Sequence, residues 1–232
     1  MNRLEKYYEE KLYPMQDGVI KIVKDLGLPF YLTGGTALSR LYFNHRYSDD
    51  LDFFVNNDPN FKEYIRSFLQ HFKKQQVGEI KLELLTERIN ILDNYAQIYM
   101  GQEDTELKID FVNDLAKRFG DLVIDKILGR VDSLRNILSN KISALYRFEI
   151  KDYIDIWCIA KKLKFNWRQL MLEAKQKEAS VDPVEIYNLF NSFPFESLGG
   201  IKWIKSVDYG QIQYDFNIIA EDILDGRDNS LA

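Results

Sequence analysis

The sequence predicts an α+β protein, with a mixed α/β N-terminal half at residues 1–130 and an all-helical C-terminal half at residues 131–232. Short apolar stretches of strand length are confined to residues 30 to 112, whereas helical periodicity dominates from Ser133 to about residue 225. A composition of 46% hydrophobic and 29% charged residues supplies core enough for one large domain or two modest lobes.

Residues 3 to 25 read as helical, with Ile20, Ile22 and Val23 opposite Lys21, Lys24 and Asp25, and Gly27 and Pro29 stop that helix. Phe30-Tyr31-Leu32 is a short apolar strand ending in Thr33-Gly34-Gly35-Thr36, and Ala37 to Tyr42 restarts as a helix. A polar turn, Asn44 to Asp49, then feeds a strand from Asp50 to Val55. Phe61 to Phe72 follows the capping residues Asn57, Asp58, Pro59 and Asn60 as a helix. Strands are expected at 80–84, 89–91, 97–99 and 106–112, the first alternating apolar and polar. Ser133 is placed to cap a helix reaching Tyr146. Further helices are expected at 152–163, 167–178, 183–191 and 213–224. The boundary between the halves falls near Gly129 to Ser133.

Cys158 is the only cysteine, so no intrachain disulfide forms and cysteine-rich zinc sites are excluded. It lies in an apolar helical run, where a buried inert thiol is expected. With only His45 and His71, a metal must be held mainly by carboxylates, which favours hard cations such as Mg²⁺ or Mn²⁺. The net charge of −5 gives no bulk support to a nucleic-acid partner, though a local basic face is compatible with it. No apolar run approaches the roughly 18 residues of a membrane helix. The N-terminus lacks the apolar core of a signal peptide, so a cytoplasmic location without a membrane partner is expected.

The chemistry begins at Asp50-Leu51-Asp52. Residues i and i+2 of a strand share a side, so two carboxylates stand together beside apolar Leu51, Phe53, Phe54 and Val55. They repel unless a cation bridges them. Asp110 lies in a second apolar strand, Leu107 to Val112. If the two strands are neighbours, roughly 4.8 Å apart, three carboxylates converge. Such a set can hold two Mg²⁺ ions, one activating a hydroxyl and the other neutralising a triphosphate. The alternative is a set of solvated strand-end carboxylates, and spacing alone does not separate the two. Gly34-Gly35 between strand and helix lets backbone N–H groups approach a phosphate, with Thr36 as cap and hydroxyl donor. The pair matches neither a Walker A loop nor a G-x-G-x-x-G fingerprint, and taken alone it is better explained by a tight turn with an N-cap.

In combination these segments resemble a known family. Leu32 to Leu38, followed by Arg46 to Phe54, is similar to the AbiEii-type nucleotidyltransferases, toxin halves of type IV toxin–antitoxin and phage-exclusion systems within the DNA polymerase beta-like superfamily. Lys108-Ile109-Asp110 resembles that family's K-x-D motif. Lys141 to Arg147 with Lys151 to Trp157 resembles its third motif, K-x-x-A-L-x-x-R followed by R-D-x-x-D-L. The resemblance covers residues 31 to 157. It departs at Lys151, where arginine is usual and bidentate phosphate binding is lost. Nothing is recognised after about residue 165, so the acceptor stays open.

The resemblance implies a polymerase beta-like fold, a mixed sheet with flanking helices, followed by the helical lobe. It also implies roles. Gly34, Gly35 and Thr36 would cradle the NTP phosphates; Asp50 and Asp52 would bind both metals; Asp110 would hold the catalytic metal and help take the acceptor's proton. Lys141 would reach the β- and γ-phosphates, with Asp152 orienting Lys141 or Arg147. Arg46 and Ser48 would position the turn or meet a phosphate, and Lys108 and Arg147 complete the nucleotide-binding set. For the Lys141–Asp155 group a surface salt-bridge lattice is the competing explanation.

His45 beside Ser48 and Asp49 suggests a hydrolase triad, but triads gather their members from separated segments, and a polar turn accounts for it better. Trp157, Trp167 and Trp203 could stack bases, yet at helical spacing aromatic residues are usually core. The leading expectation is an NTP-dependent transferase acting on RNA, at the 3′ end of a tRNA, with a cognate antitoxin protein. The alternatives are a small-molecule (antibiotic-type) nucleotidyltransferase and a non-catalytic nucleotide-binding or antitoxin-docking module.

Overall fold

Alternating burial builds the sheet. In β2 (Leu51–Asn56) and β6 (Thr105–Asp114) buried residues alternate with half-buried or exposed ones, as strands with one face in a core must. The computed structural model describes residues 2–74 and 82–232. Its other strands are β1 (Tyr31–Thr33), β3 (Glu83–Leu84), β4 (Asn90–Ile91), β5 (Tyr95–Gln102), β7 (Val123–Asp125) and β8 (Gly129–Val131). They lie in the order β3-β5-β6-β2-β1-β8-β7, with β4 pairing β5. The sheet is mixed: β2 runs parallel to β6 and antiparallel to β1, while β1 is parallel to β8.

The residues divide into two compact units. The first takes in residues up to Ala37, Tyr47–Ala116 and Asp121–Asp132, and so contains the whole sheet. Its helices are α1 (Arg3–Tyr7), α2 (Tyr13–Asp25), α3 (Gly34–Ala37) and α4 (Phe61–Lys74), with a π-helical turn at Tyr8–Leu12 joining α1 to α2. Phe111 of β6 centres the apolar layer under the sheet. Its ring lies 4.9 Å from Phe30, 5.4 Å from Phe53 and 5.0 Å from Phe68 of α4.

The second unit takes in Leu38–Arg46, Lys117–Gly120 and Ser133–Ala232. It carries α5 (Leu134–Ser143), α6 (Ile150–Ala160), α7 (Trp167–Lys175), α8 (Pro183–Asn191) and α9 (Tyr209–Asp225). Among its described residues there is no strand, only isolated bridges. Tyr153, Phe190, Phe193 and Phe216 form its aromatic centre, with Phe193 and Phe216 4.9 Å apart.

Several elements differ from the sequence expectation. The helix after β1 begins at Gly34, not Ala37, so Thr36 sits inside it rather than capping it. Helix α5 is capped by the Ser133 hydroxyl, which accepts from Asn136 N–H at 3.1 Å, but it ends at Ser143. A left-handed Phe148 (φ 57°) breaks the chain before α6. β7 and β8 were not expected, because three-residue strands are too short to show a period of two. Residues 80 and 81 of the strand expected at 80–84 lie outside the described residues; Glu83–Leu84 forms β3.

Candidate active site

The register of the parallel pair sets the first cluster. Asp52 of β2 stands opposite Asp110 of β6, and Gln97 of β5 stands opposite Asp110 from the other side. All three are half-buried, on the sheet face away from the Phe53–Phe111 layer. Asp50 precedes β2 and comes beside Lys108 of β6, whose Nζ lies 3.0 Å from Asp50 Oδ2 and 3.2 Å from Asp110 Oδ2. Burial works against the Lys108 charge, but the two carboxylates outweigh it and raise its pKa above the ordinary lysine value.

Asp110 is held by two side chains of β5. Tyr95 O–H donates to Asp110 Oδ1 at 2.9 Å. Gln97 Nε2 donates to the same oxygen at 3.0 Å and to the Tyr95 hydroxyl at 2.7 Å. Burial, and then the bond to Asp110, push the Tyr95 phenol up to about 12, so it remains a donor. Gly34 adopts φ +69° against Asp52, where an added Cβ would lie 2.3 Å from Oδ2. Glycine is therefore required there twice, for the left-handed backbone and for the space. The Thr36 hydroxyl donates to the Asp50 carbonyl and so braces the acidic turn. Gly35 is buried in the same turn.

The N-terminal helix holds the approach to this strand. Gln16 Nε2 donates to the Ser48 and Asp49 carbonyls at 3.1 and 3.2 Å. The fully buried Tyr8 donates its hydroxyl to Asp49 and stacks on Tyr47, with ring centroids 4.1 Å apart. The π-helical turn brings both Tyr8 and Leu12 inward, a local rewinding typical of functional segments.

The second unit holds a separate, buried ionic cluster. Asp155 of α6 accepts from Arg46 through both oxygens, at 2.8 and 2.7 Å. Lys141 of α5 bridges Asp152 at 2.6 Å and Asp155 at 2.7 Å. Arg147 binds Asp152 at 2.7 Å, and His45 Nε2 lies 2.9 Å from Asp155. Both acids are fully buried. Burial opposes the charge of Asp155, but Arg46 and Lys141 overcome it and hold its carboxyl well below the usual range. This is not a surface lattice. Arg46 and Lys141, expected at phosphates, are enclosed by carboxylates here. Arg147, its side chain 61% exposed, is the cation of the cluster that reaches solvent. His45, in the segment between Phe43 and β2, joins this buried cluster.

The structure thus brings Asp50, Asp52, Lys108 and Asp110 together beside Gly34, and gathers Arg46, Lys141, Arg147 and Asp152 around Asp155. Ser48 contributes its main-chain carbonyl to the Gln16 contact. Among the described residues, no three acid, histidine or cysteine side chains form a set that would hold a metal ion as they stand. The donor chemistry of the first cluster nevertheless suits a hard cation: carboxylate oxygens only, with a cation, Lys108, already between two of them. Tyr95 and Gln97 were missed in the sequence, because only strand pairing shows that β5 adjoins Asp110. Trp167 is fully buried, and Trp157 donates to Asp215 at 2.7 Å. Burial pushes the Cys158 thiol up to about 12, leaving it protonated. No described helix is long and apolar enough to cross a membrane.

With this geometry in view, residues 22–208 match the family described as nucleotidyl transferase AbiEii toxin, type IV toxin–antitoxin system. No curated protein matches the chain. Among solved structures, a candidate nucleotidyltransferase from Helicobacter pylori is similar over 97% of this chain and 96% of that one, with TM-score 0.60 and 17% identity. The Helicobacter pylori protein JHP933 is similar over 92% of this chain and 90% of its own, with TM-score 0.58 and 17% identity. At that identity the likeness is one of fold.

Proposed function

Because the chain belongs to the AbiEii family of nucleotidyl transferase toxins of type IV toxin–antitoxin systems, we propose that it moves a nucleotide from an NTP onto a hydroxyl of an RNA, the 3′ end of a tRNA. The observation that carries this reading is the pairing of Asp52 with Asp110 on adjacent parallel strands, on one face with Asp50 and against Gly34. Asp50, Asp52 and Asp110 would hold Mg²⁺ or Mn²⁺, which when bound supplies charge neutralisation for the triphosphate and acidifies the attacking hydroxyl. The Gly34–Gly35 backbone would admit the phosphates. The acceptor oxygen attacks the α-phosphorus, the bond to the β-phosphate oxygen breaks, and pyrophosphate leaves. Asp110 Oδ2, turned from the Tyr95–Gln97 bonds, takes the hydroxyl proton. In this reading residues 1–130 are the catalytic domain and residues 131–232 the helical domain that selects the acceptor, with Arg147 as its solvent-facing phosphate contact. The family implies a cognate antitoxin.

The test is transfer of label from each α-³²P NTP, with Mg²⁺, onto total tRNA and onto total protein. Label on tRNA from a preferred NTP, dependent on Mg²⁺, supports the reading. Label on neither pool would move the reaction to a small-molecule acceptor.

A further inference from the structure

Lys108 occupies the place of a cation. Its ammonium lies within hydrogen-bonding distance of Asp50 and Asp110, through the Oδ2 atom of each. Asp110 and the Asp50 backbone are also held by other groups. Asp110 is tied through Oδ1 to Tyr95 and Gln97, and the Asp50 main chain is tied through its carbonyl to Thr36. The two ion pairs hold the lysine at its tip. Its side chain is 28% exposed, and its point charge rides on a flexible four-carbon stem that can take another rotamer with the β6 backbone in place.

We propose that Lys108 is a resident counter-ion, which neutralises Asp50 and Asp110 in the metal-free protein and gives up its place when a divalent cation enters. This rests on the reading of Asp50, Asp52 and Asp110 as cation-holding carboxylates. Like-charged carboxylates so close would otherwise repel, and the lysine keeps them gathered at the cost of competing with the ion. Metal affinity is then set by an exchange, not by filling an open site. Lys108 is a positioning residue in the resting state, and its charge weakens metal binding.

The measurement is Mn²⁺ titration of the nucleotide-free protein by calorimetry, with wild type, Lys108→Met, Lys108→Arg and Asp52→Asn compared. With the competitor removed, Lys108→Met should bind Mn²⁺ about tenfold tighter than wild type. A permanently charged arginine fork grips the two carboxylates more firmly, so Lys108→Arg should bind several-fold weaker. Asp52→Asn should lose the signal. Unchanged or weaker binding by Lys108→Met, with wild-type binding intact, overturns the counter-ion and leaves the metal reading standing. Should Lys108→Met fail to fold, the arginine variant decides, and unchanged or tighter binding by it overturns the proposal. No Mn²⁺ binding by wild type, or binding that survives Asp52→Asn, overturns both.

Discussion

Gly34 carries the tightest steric constraint at the candidate site, since its backbone is left-handed and its missing Cβ leaves room for the Asp52 carboxylate. Gly34→Ala should therefore cost about 1–3 kcal/mol of stability and lower transfer about 100-fold or more. Gly199→Ala is the matched control, because an added Cβ there meets nothing within 4 Å, and it should leave melting and activity unchanged. Label transfer and thermal melts on both variants check this. Tyr95 and Gln97 act through Asp110. Gln97→Leu should lower kcat about tenfold with little change in the KM for NTP, because it loosens the proton acceptor and not the nucleotide. A change confined to KM would contradict that role.

At the scale of the element, α6 shows what a sequence conceals. Asp152 and Asp155 lie three residues apart on one side of the helix, a spacing equally suited to a solvent lattice. Tyr153, Ile154, Ile156, Trp157, Ile159 and Ala160 are also buried, so α6 is enclosed on nearly all sides and its acids must be paired inside. No amphipathic pattern marks such a helix as exposed or buried. The strands β2 and β6 were legible as apolar runs of strand length; β7 and β8 are too short to show one. The D-x-D strand and its glycine pair were legible as residues, whereas the Lys108 bridge and the Tyr95–Gln97 support depend on register, which only pairing fixes.

The buried cluster makes a prediction of its own. Asp155→Ala removes the carboxylate that Arg46 grips through both oxygens and one of the two that Lys141 bridges, and should destabilise the protein by about 3–5 kcal/mol in urea unfolding. Its pH dependence follows from the depressed carboxyl of Asp155. The contribution is fully present above the unfolded carboxylate value, about pH 3.9, and is lost as pH falls below it toward the folded value. Urea midpoints measured from pH 6 down to pH 2 should fall in that lower window for wild type, and less steeply for Asp155→Asn. Equal slopes would contradict the assignment.

At the scale of the whole molecule, a mixed sheet carries the carboxylates, and a helical C-terminal region accompanies it. The chain bears a net charge of −5, so an RNA acceptor cannot be gripped by bulk attraction. Acceptor KM should rise only modestly between 50 and 200 mM salt, with a log–log slope shallower than about 4, equivalent to roughly four phosphate contacts or fewer. A much steeper slope would point to an extended basic face. The central claim is that Asp52 and Asp110 together perform nucleotidyl transfer. Its most direct test is the initial rate of label transfer from the preferred α-³²P NTP by wild type, Asp52→Asn and Asp110→Asn, each shown by melting to be folded. The account predicts a loss of about 1,000-fold or more in both variants. Transfer retained within about tenfold in either folded variant would contradict it.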